Sequence, residues 1–318
     1  MKTRIDYIDL IKGITIFGVV WVHTACYTWL SPILVNSIFF FLSGIFFRRM
    51  CFSEFLKTKV QTMLIPFVFF YILSYPFRLV VHYWDNRTFA NFDWGCILDV
   101  FDISAQTDYL SVNVPLWFLL CLFIIQVIYY FISYMDKRLI FVVAISCFVF
   151  RNFFYSIPAP FMANAAFYYM GFFALGNLFG KSWIEKLSDT CFQHLALLLS
   201  VLLFAFVICV NVDSMSEYMQ QQVKHVKLFM VFFAFMSIAS LFNGNRYLGL
   251  LRFFGENSLI ILGLHVLPLI IIRRISFKLF GDPTPMMGFV HSIICMVIMY
   301  LVILFCNNYI PRLVGRKK

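Results

Sequence analysis

Charge is scarce in this sequence. Asp, Glu, Lys and Arg make up 13% of its 318 residues, about half the share of an ordinary soluble domain. No stretch is rich enough in Ser, Gln, Glu or Pro to read as a disordered tail, and no repeat of the solenoid kind is visible. There is no CxxC pair, no HExxH and no His or Cys pair at ligand spacing, which argues against a metal. There is no Gly-rich phosphate loop, which argues against direct use of a nucleoside triphosphate. The nine cysteines fall mostly within apolar runs, Cys26, Cys121, Cys147, Cys209, Cys295 and Cys306 among them. They read as small buried hydrophobes, not as a disulfide framework.

Apolar residues take up the rest. They make up 62% of the chain, and Phe alone occurs 42 times. A membrane-crossing helix needs about 20 predominantly apolar residues. Ten segments approach that: 8–28, 33–50, 62–82, 114–134, 138–152, 163–180, 191–211, 226–243, 257–274 and 287–310. The fifth and ninth are short, as tilted, broken or re-entrant segments are. Glu256, Asn257 and Ser258 read as a capped start for the ninth. The expected class is an all-α integral membrane protein: one transmembrane domain over 1–318, multi-pass in the cell membrane, surrounded by lipid.

The net charge of +10 would suggest nucleic acid in a soluble protein. Here the cations sit in short loops and read as topology, with no nucleic-acid partner. With the N-terminus inside, sixteen fall in cytoplasmic segments, from Lys2 and Arg4 to Arg316, Lys317 and Lys318. Eight fall on the other side, including the trio Arg273, Arg274 and Lys278, and Lys12 lies within the first helix. The positive-inside rule therefore places both termini in the cytoplasm. The first apolar run carries Lys12 and His23 and lacks a small-residue cleavage site, so it reads as a retained helix. The longest loop, 83–113, sets Asp85, Asp93, Asp99, Asp102 and Asp108 against Arg87 and is expected outside the cytoplasm, as a functional segment or a plain solvated lid.

Ionisable groups within membrane helices are costly, and each is a functional candidate. Lys12 and His23 lie eleven residues apart. At about 100° per residue, eleven steps close nearly three turns, so both project from one face, about 16 Å apart along the axis. They cannot touch each other, but they are placed to touch two ends of one long ligand. The structural alternative is that Lys12 snorkels to the interface while His23 bonds a neighbouring helix.

The run Asp6-Tyr7-Ile8-Asp9-Leu10-Ile11-Lys12-Gly13, with His23 eleven residues on, resembles the opening of the membrane-bound acyltransferase-3 family. That family includes O-acetyltransferases of bacterial surface polysaccharides. It typically carries a basic residue, most often Arg, and a His at this offset. The resemblance continues in order through Phe39-Phe40-Phe41-Leu42-Ser43-Gly44, then Lys57, Lys59 and Leu64-Ile65-Pro66. Pro115-Leu116-Trp117-Phe118-Leu119, Asn257-Ser258-Leu259 and Leu264-His265 complete it. Lys at position 12 lacks the guanidinium fork but binds phosphate as a point charge.

The resemblance implies transfer of an acetyl or other short acyl group from acyl-CoA to a hydroxyl of a sugar in a cell-surface or exported glycan. Acetyl-CoA would be the donor substrate, with no metal. Lys12, Lys57, Lys59 and Arg48 would meet the donor phosphates. The pantetheine arm would carry the thioester toward His23, acting as general base or transient acyl carrier. His265 would bind the acceptor or orient His23, or simply pack. Trp117 would stack on a sugar ring or anchor the interface. Asp9 would orient Lys12 or serve the helix start. A secondary transporter or flippase for a glycan or acylated sugar is the main rival, and a scaffold in a glycan-assembly complex is another. A homo-oligomer remains open.

Overall fold

The computed structural model describes residues 5–24, 32–101, 110–157, 159–209, 216–282 and 284–316. Of the positions singled out above, Lys2, Arg4, Cys26, Asp102, Asp108, Lys317 and Lys318 lie outside the described residues. The described chain is helical, with no strand. Its α-helices are α1 (Asp6–Val22), α2 (Pro32–Ile45), α3 (Phe52–Lys59), α4 (Ile65–Asn86), α5 (Trp117–Ile132), α6 (Lys137–Val149) and α7 (Arg151–Ser156). They continue with α8 (Ala163–Lys186), α9 (Thr190–Cys209), α10 (Glu217–Leu241), α11 (Gly249–Glu256), α12 (Ser258–Leu264), α13 (Val266–Phe280) and α14 (Pro285–Tyr309).

Each of the ten apolar segments overlaps helix among the described residues, the fifth meeting α6 and α7 and the ninth α12 and α13, but the helix lengths differ from expectation. Among the described residues, four helices are long and apolar enough to cross a membrane: Phe52–Asn86, Val114–Ile132, Glu217–Leu241 and Pro285–Tyr309. A fifth span arises if α11 with its 3-10 lead-in is joined to α12 across their 56° bend. Hydropathy does not register where a helix stops. The α1 helix has 17 residues, α2 has 14 and α6 has 13. At 1.5 Å per residue each falls short of the roughly 30 Å hydrocarbon core. The third segment is longer than expected, because a π-helical turn at Val60–Leu64 splices α3 onto α4. The ninth does not start from a cap. Asn257 sits at the bend, and its side-chain amide donates to the Phe253 carbonyl (2.7 Å) instead of capping α12.

Small residues set the packing at the centre. A Cβ on Gly13 would overlap the Leu251 carbonyl, and one on Gly255 would overlap the Asp9 carbonyl. The backbones of α1 and α11 therefore touch, an approach typical of membrane helices with little room for side chains. Gly44 of α2 and Gly176 of α8 meet the Phe173 and Phe41 carbonyls in the same way. The outward faces are apolar: Leu202 and Phe206 on α9, and Val297, Leu301 and Phe305 on α14, are more than half exposed. Contiguous apolar surface on this scale belongs against lipid.

Part of the 83–113 loop folds back on the bundle. Trp94–Phe101 form a 3-10 helix. The Tyr71 hydroxyl reaches the carbonyls of Cys96 (3.1 Å) and Ile97 (3.0 Å), and that of Tyr75 reaches the Trp94 carbonyl (3.1 Å). Ser111 donates to Asp99 and accepts from Arg78 through its carbonyl. The end of the loop, Ser111–Val112–Asn113, thereby becomes wall material for the site.

Candidate active site

Two cavities open at opposite ends of one helix cluster. The larger, about 1000 Å³, is lined by His23 at the end of α1, Arg78 on α4, Asn113 and Val114 before α5, and Val266 after α12. The smaller, about 280 Å³, is lined by Lys12 and Ile16 on α1, Lys59 and Met63, Phe118 and Gln126 on α5, and Leu262 on α12. All four chain segments run from one cavity to the other. Val114 faces the large cavity and Phe118 the small one, and Leu262 and Val266 divide in the same way. Across the partition between the cavities, the two linings on α5 and α12 are four residues apart, about 6 Å of rise or one helical turn, and on α1 they are seven apart, from Ile16 to His23, about 10 Å.

The partition holds the second histidine. His265, between α12 and α13, is fully buried, and its ring lies 5.3 Å from that of His23, centroid to centroid. Its Nδ1 is 2.8 Å from the Ile261 carbonyl. A carbonyl can only accept, so Nδ1 carries the proton and Nε2 presents a lone pair. That Nε2 is buried without a partner, beside His23. The arrangement has the form of a base with an orienting group behind it.

Asn113 is buried next to them. Its amide nitrogen bonds Ser74 Oγ (2.8 Å) and the Gly263 carbonyl (2.9 Å), which fixes the side chain. Its Oδ1 has no partner among the described residues. A buried acceptor without a partner costs about 1–3 kcal/mol.

At the other end, Lys12 Nζ lies 3.4 Å from Asp9 Oδ1 and 5.5 Å from the centre of the Phe46 ring. Asp9 is thus the neighbour that positions Lys12. Lys59 shares the small cavity with Lys12 and lies 5.5 Å from the Phe55 ring centre. Gln126 donates to Met63 Sδ (3.5 Å) and leaves its Oε1 unpartnered in the same wall.

The structure groups the sequence candidates unevenly. It brings His23 to His265 and Lys12 to Lys59 and Asp9. Arg48 and Lys57 are exposed outside the small cavity. Trp117 lines neither cavity: it is buried against Phe118 and Tyr169, ring centres 6.2 and 5.7 Å away. It packs in the core of the bundle. Sequence reasoning passed over Asn113 and Gln126. The signal for Gln126 was present, a single amide in the apolar run Trp117–Ile132. Asn113 had none beyond its place just before Pro115.

No curated protein and no solved structure matches the chain. A family model described as an acyltransferase domain matches residues 5–307, nearly the whole sequence. The run from Asp6 through His23 and the late Leu264-His265 pair, which carried the resemblance, both fall within that match. The chain belongs to the acyltransferase-3 family and is a membrane acyltransferase.

Proposed function

We propose that the protein transfers an acetyl or other short acyl group from acyl-CoA, acetyl-CoA in the first instance, to a hydroxyl of a sugar in a cell-surface or exported glycan. The observation that carries this reading is the partition between the cavities. His23 on one side of it lines a large cavity, with His265 buried in the partition beside it, and a lysine pair on the other side lines a smaller one. The donor enters the small cavity with its phosphates at Lys12 and Lys59. Its extended arm follows α1, where the offset from Lys12 to His23 is about 16 Å. Gln126 Oε1 accepts from an amide N–H of that arm. The acceptor sugar occupies the large cavity with its hydroxyl at His23.

His23 then removes the hydroxyl proton as the oxygen attacks the thioester carbonyl. The C–S bond breaks, and the thiolate of coenzyme A leaves toward the small cavity, taking up the proton. His265 holds the His23 ring through its Nε2 lone pair, and Asn113 Oδ1 accepts a second hydroxyl of the sugar. In this reading the chain is multi-pass in the cell membrane, with ten spans and both termini in the cytoplasm. The small cavity opens inward and the large one outward.

Purified protein in nanodiscs, given labelled acetyl-CoA and a panel of glycans, tests this. Transfer to a sugar is expected, with His23→Ala lowering kcat by about 10²–10⁴-fold. Glycan exchange across vesicles with no acylation would support a transporter instead.

A further inference from the structure

The large cavity carries more positive charge than acyl transfer to a neutral sugar needs. Arg78, Arg87, Arg273, Arg274 and Lys278 line it against one carboxylate, Asp85. Two of the five are accounted for. Arg274 forms a two-pronged pair with Asp85, at 2.9 and 2.5 Å. Arg78 donates to the Ser111 carbonyl, while the Ser111 hydroxyl holds Asp99. Arg87, Arg273 and Lys278 have no carboxylate partner among the described residues. Arg87 caps the C-terminus of α4 and Lys278 lies in the last turn of α13, where the helix dipole offsets about half a charge. Arg273 sits mid-helix, and among the described residues it has neither form of compensation. His291 faces the same cavity, is buried, and has an unpartnered Nδ1.

The placement of the charge is informative. Arg273 follows His265 by eight residues along α13, about 12 Å, and Lys278 by thirteen, about 20 Å. The cations therefore lie beyond the ring that presents its hydroxyl to His23. Three cations on two helices exceed what one carboxylate would neutralise, and a phosphate or pyrophosphate group carries the charge to match them.

We infer that the large cavity takes an acceptor bearing a phosphate or pyrophosphate group remote from the acylated hydroxyl, held by Arg87, Arg273 and Lys278. This rests on the acyl-transfer reading for the identity of the bound molecule, but the anion site is measurable without turnover.

Two measurements test it. The first is the ratio of kcat/KM for one oligosaccharide with and without a terminal phosphate. The wild-type protein is expected to favour the phosphorylated form at least tenfold. Arg273→Gln with Lys278→Gln should bring the ratio close to one, and Arg273→Lys should preserve it. A ratio near one in the wild type overturns the inference and leaves acyl transfer standing. A rise in the KM for acetyl-CoA in the double variant also overturns it, because the phosphates would then be the donor's. The second is titration of inorganic pyrophosphate into wild-type protein in nanodiscs of zwitterionic lipid, where saturable binding lost in the double variant is expected. No binding, or displacement by anionic phospholipid added to the disc, refutes a substrate site; in the latter case the cations read headgroups. If no acylation of any glycan is found, this titration still decides the anion site, while the function itself fails.

Discussion

His265 offers the sharpest test of the His pair, because the structure separates its two polar atoms. Nδ1 is used by the Ile261 carbonyl, and Nε2 has no partner among the described residues, beside the His23 ring. That carbonyl also accepts the main-chain N–H of His265 at 2.9 Å, so removing the imidazole strands no acceptor. His265→Phe keeps the ring volume in a fully buried position and removes the lone pair. An orienting hydrogen bond is worth about 1–1.5 kcal/mol, so kcat should fall roughly tenfold. The KM values should stay put, since a fully buried side chain touches neither substrate. His265→Gln extends an amide oxygen toward the place of Nε2 and should keep kcat within about threefold, at the cost of side-chain entropy. His265→Asn stops short and should behave like Phe. The assay is steady-state transfer from labelled acetyl-CoA in nanodiscs, with thermal unfolding as a check on folding. Wild-type kcat in a folded His265→Phe would reduce His265 to packing. A raised KM with unchanged kcat would move it to ligand binding, and the orienting role would be lost.

Other outcomes follow from the same geometry. Lys12→Ala should raise the KM for acetyl-CoA about tenfold, as expected for a lost charge-assisted contact. Lys12→Arg should recover most of it, and the exposed Lys57→Ala should change little; equal effects at Lys12 and Lys57 would dissolve the small cavity's claim on the donor. Gly255→Ala forces a methyl into the Asp9 carbonyl and should lower thermal stability by more than about 1–3 kcal/mol, the usual cost of overpacking. Gly249→Ala, with nothing within 4 Å of the added carbon, should instead be silent or stabilising. Equal melting of the two variants would mean that α1 and α11 are not packed backbone to backbone.

Much of the local order was legible in the sequence, because helical periodicity is local. The offset from Lys12 to His23 follows from the helix alone, and ten apolar segments sufficed to place helices. The pairing of His23 with His265 was not legible, since the two are far apart in sequence and each sits alone in an apolar stretch. What brings them together is the contact of Gly13 with Leu251 and of Gly255 with Asp9, which docks α11 and α12 on α1. A glycine in a membrane helix announces that something passes close, but not which helix. Gly255, Glu256, Asn257 and Ser258 look like a helix start because the same residue types serve caps and bends. The difference lies in Asn257, whose Oδ1 receives Asn307 (3.0 Å) and Arg316 (2.5 Å) from the far end of the chain. Lys57 and Arg48 show what the sequence leaves out. As basic residues they group with Lys12 and Lys59, but a residue's position around the helix decides which cavity it reaches.

The bend and the partition are best understood together. A straight ninth helix would run past α1 as a single rod, and its side chains would fill the space between the two ends. Turning by 56° at Asn257 sends α11 along α1 and leaves α12 to cross behind it, with Leu262 facing one cavity and Val266 the other. Along this element the partition is then one turn thick. That suits acyl transfer between ligands arriving from opposite sides: a thinner wall would admit water, which competes with the sugar hydroxyl for the thioester, and a thicker one would hold the thioester out of reach of His23. By this argument, shaving the partition should uncouple the two reactions. Leu262→Ala, which opens the small-cavity side, is expected to raise hydrolysis of acetyl-CoA relative to transfer, read as free coenzyme A released per sugar acylated. An unchanged ratio in a folded variant would show that the wall does not serve to exclude water.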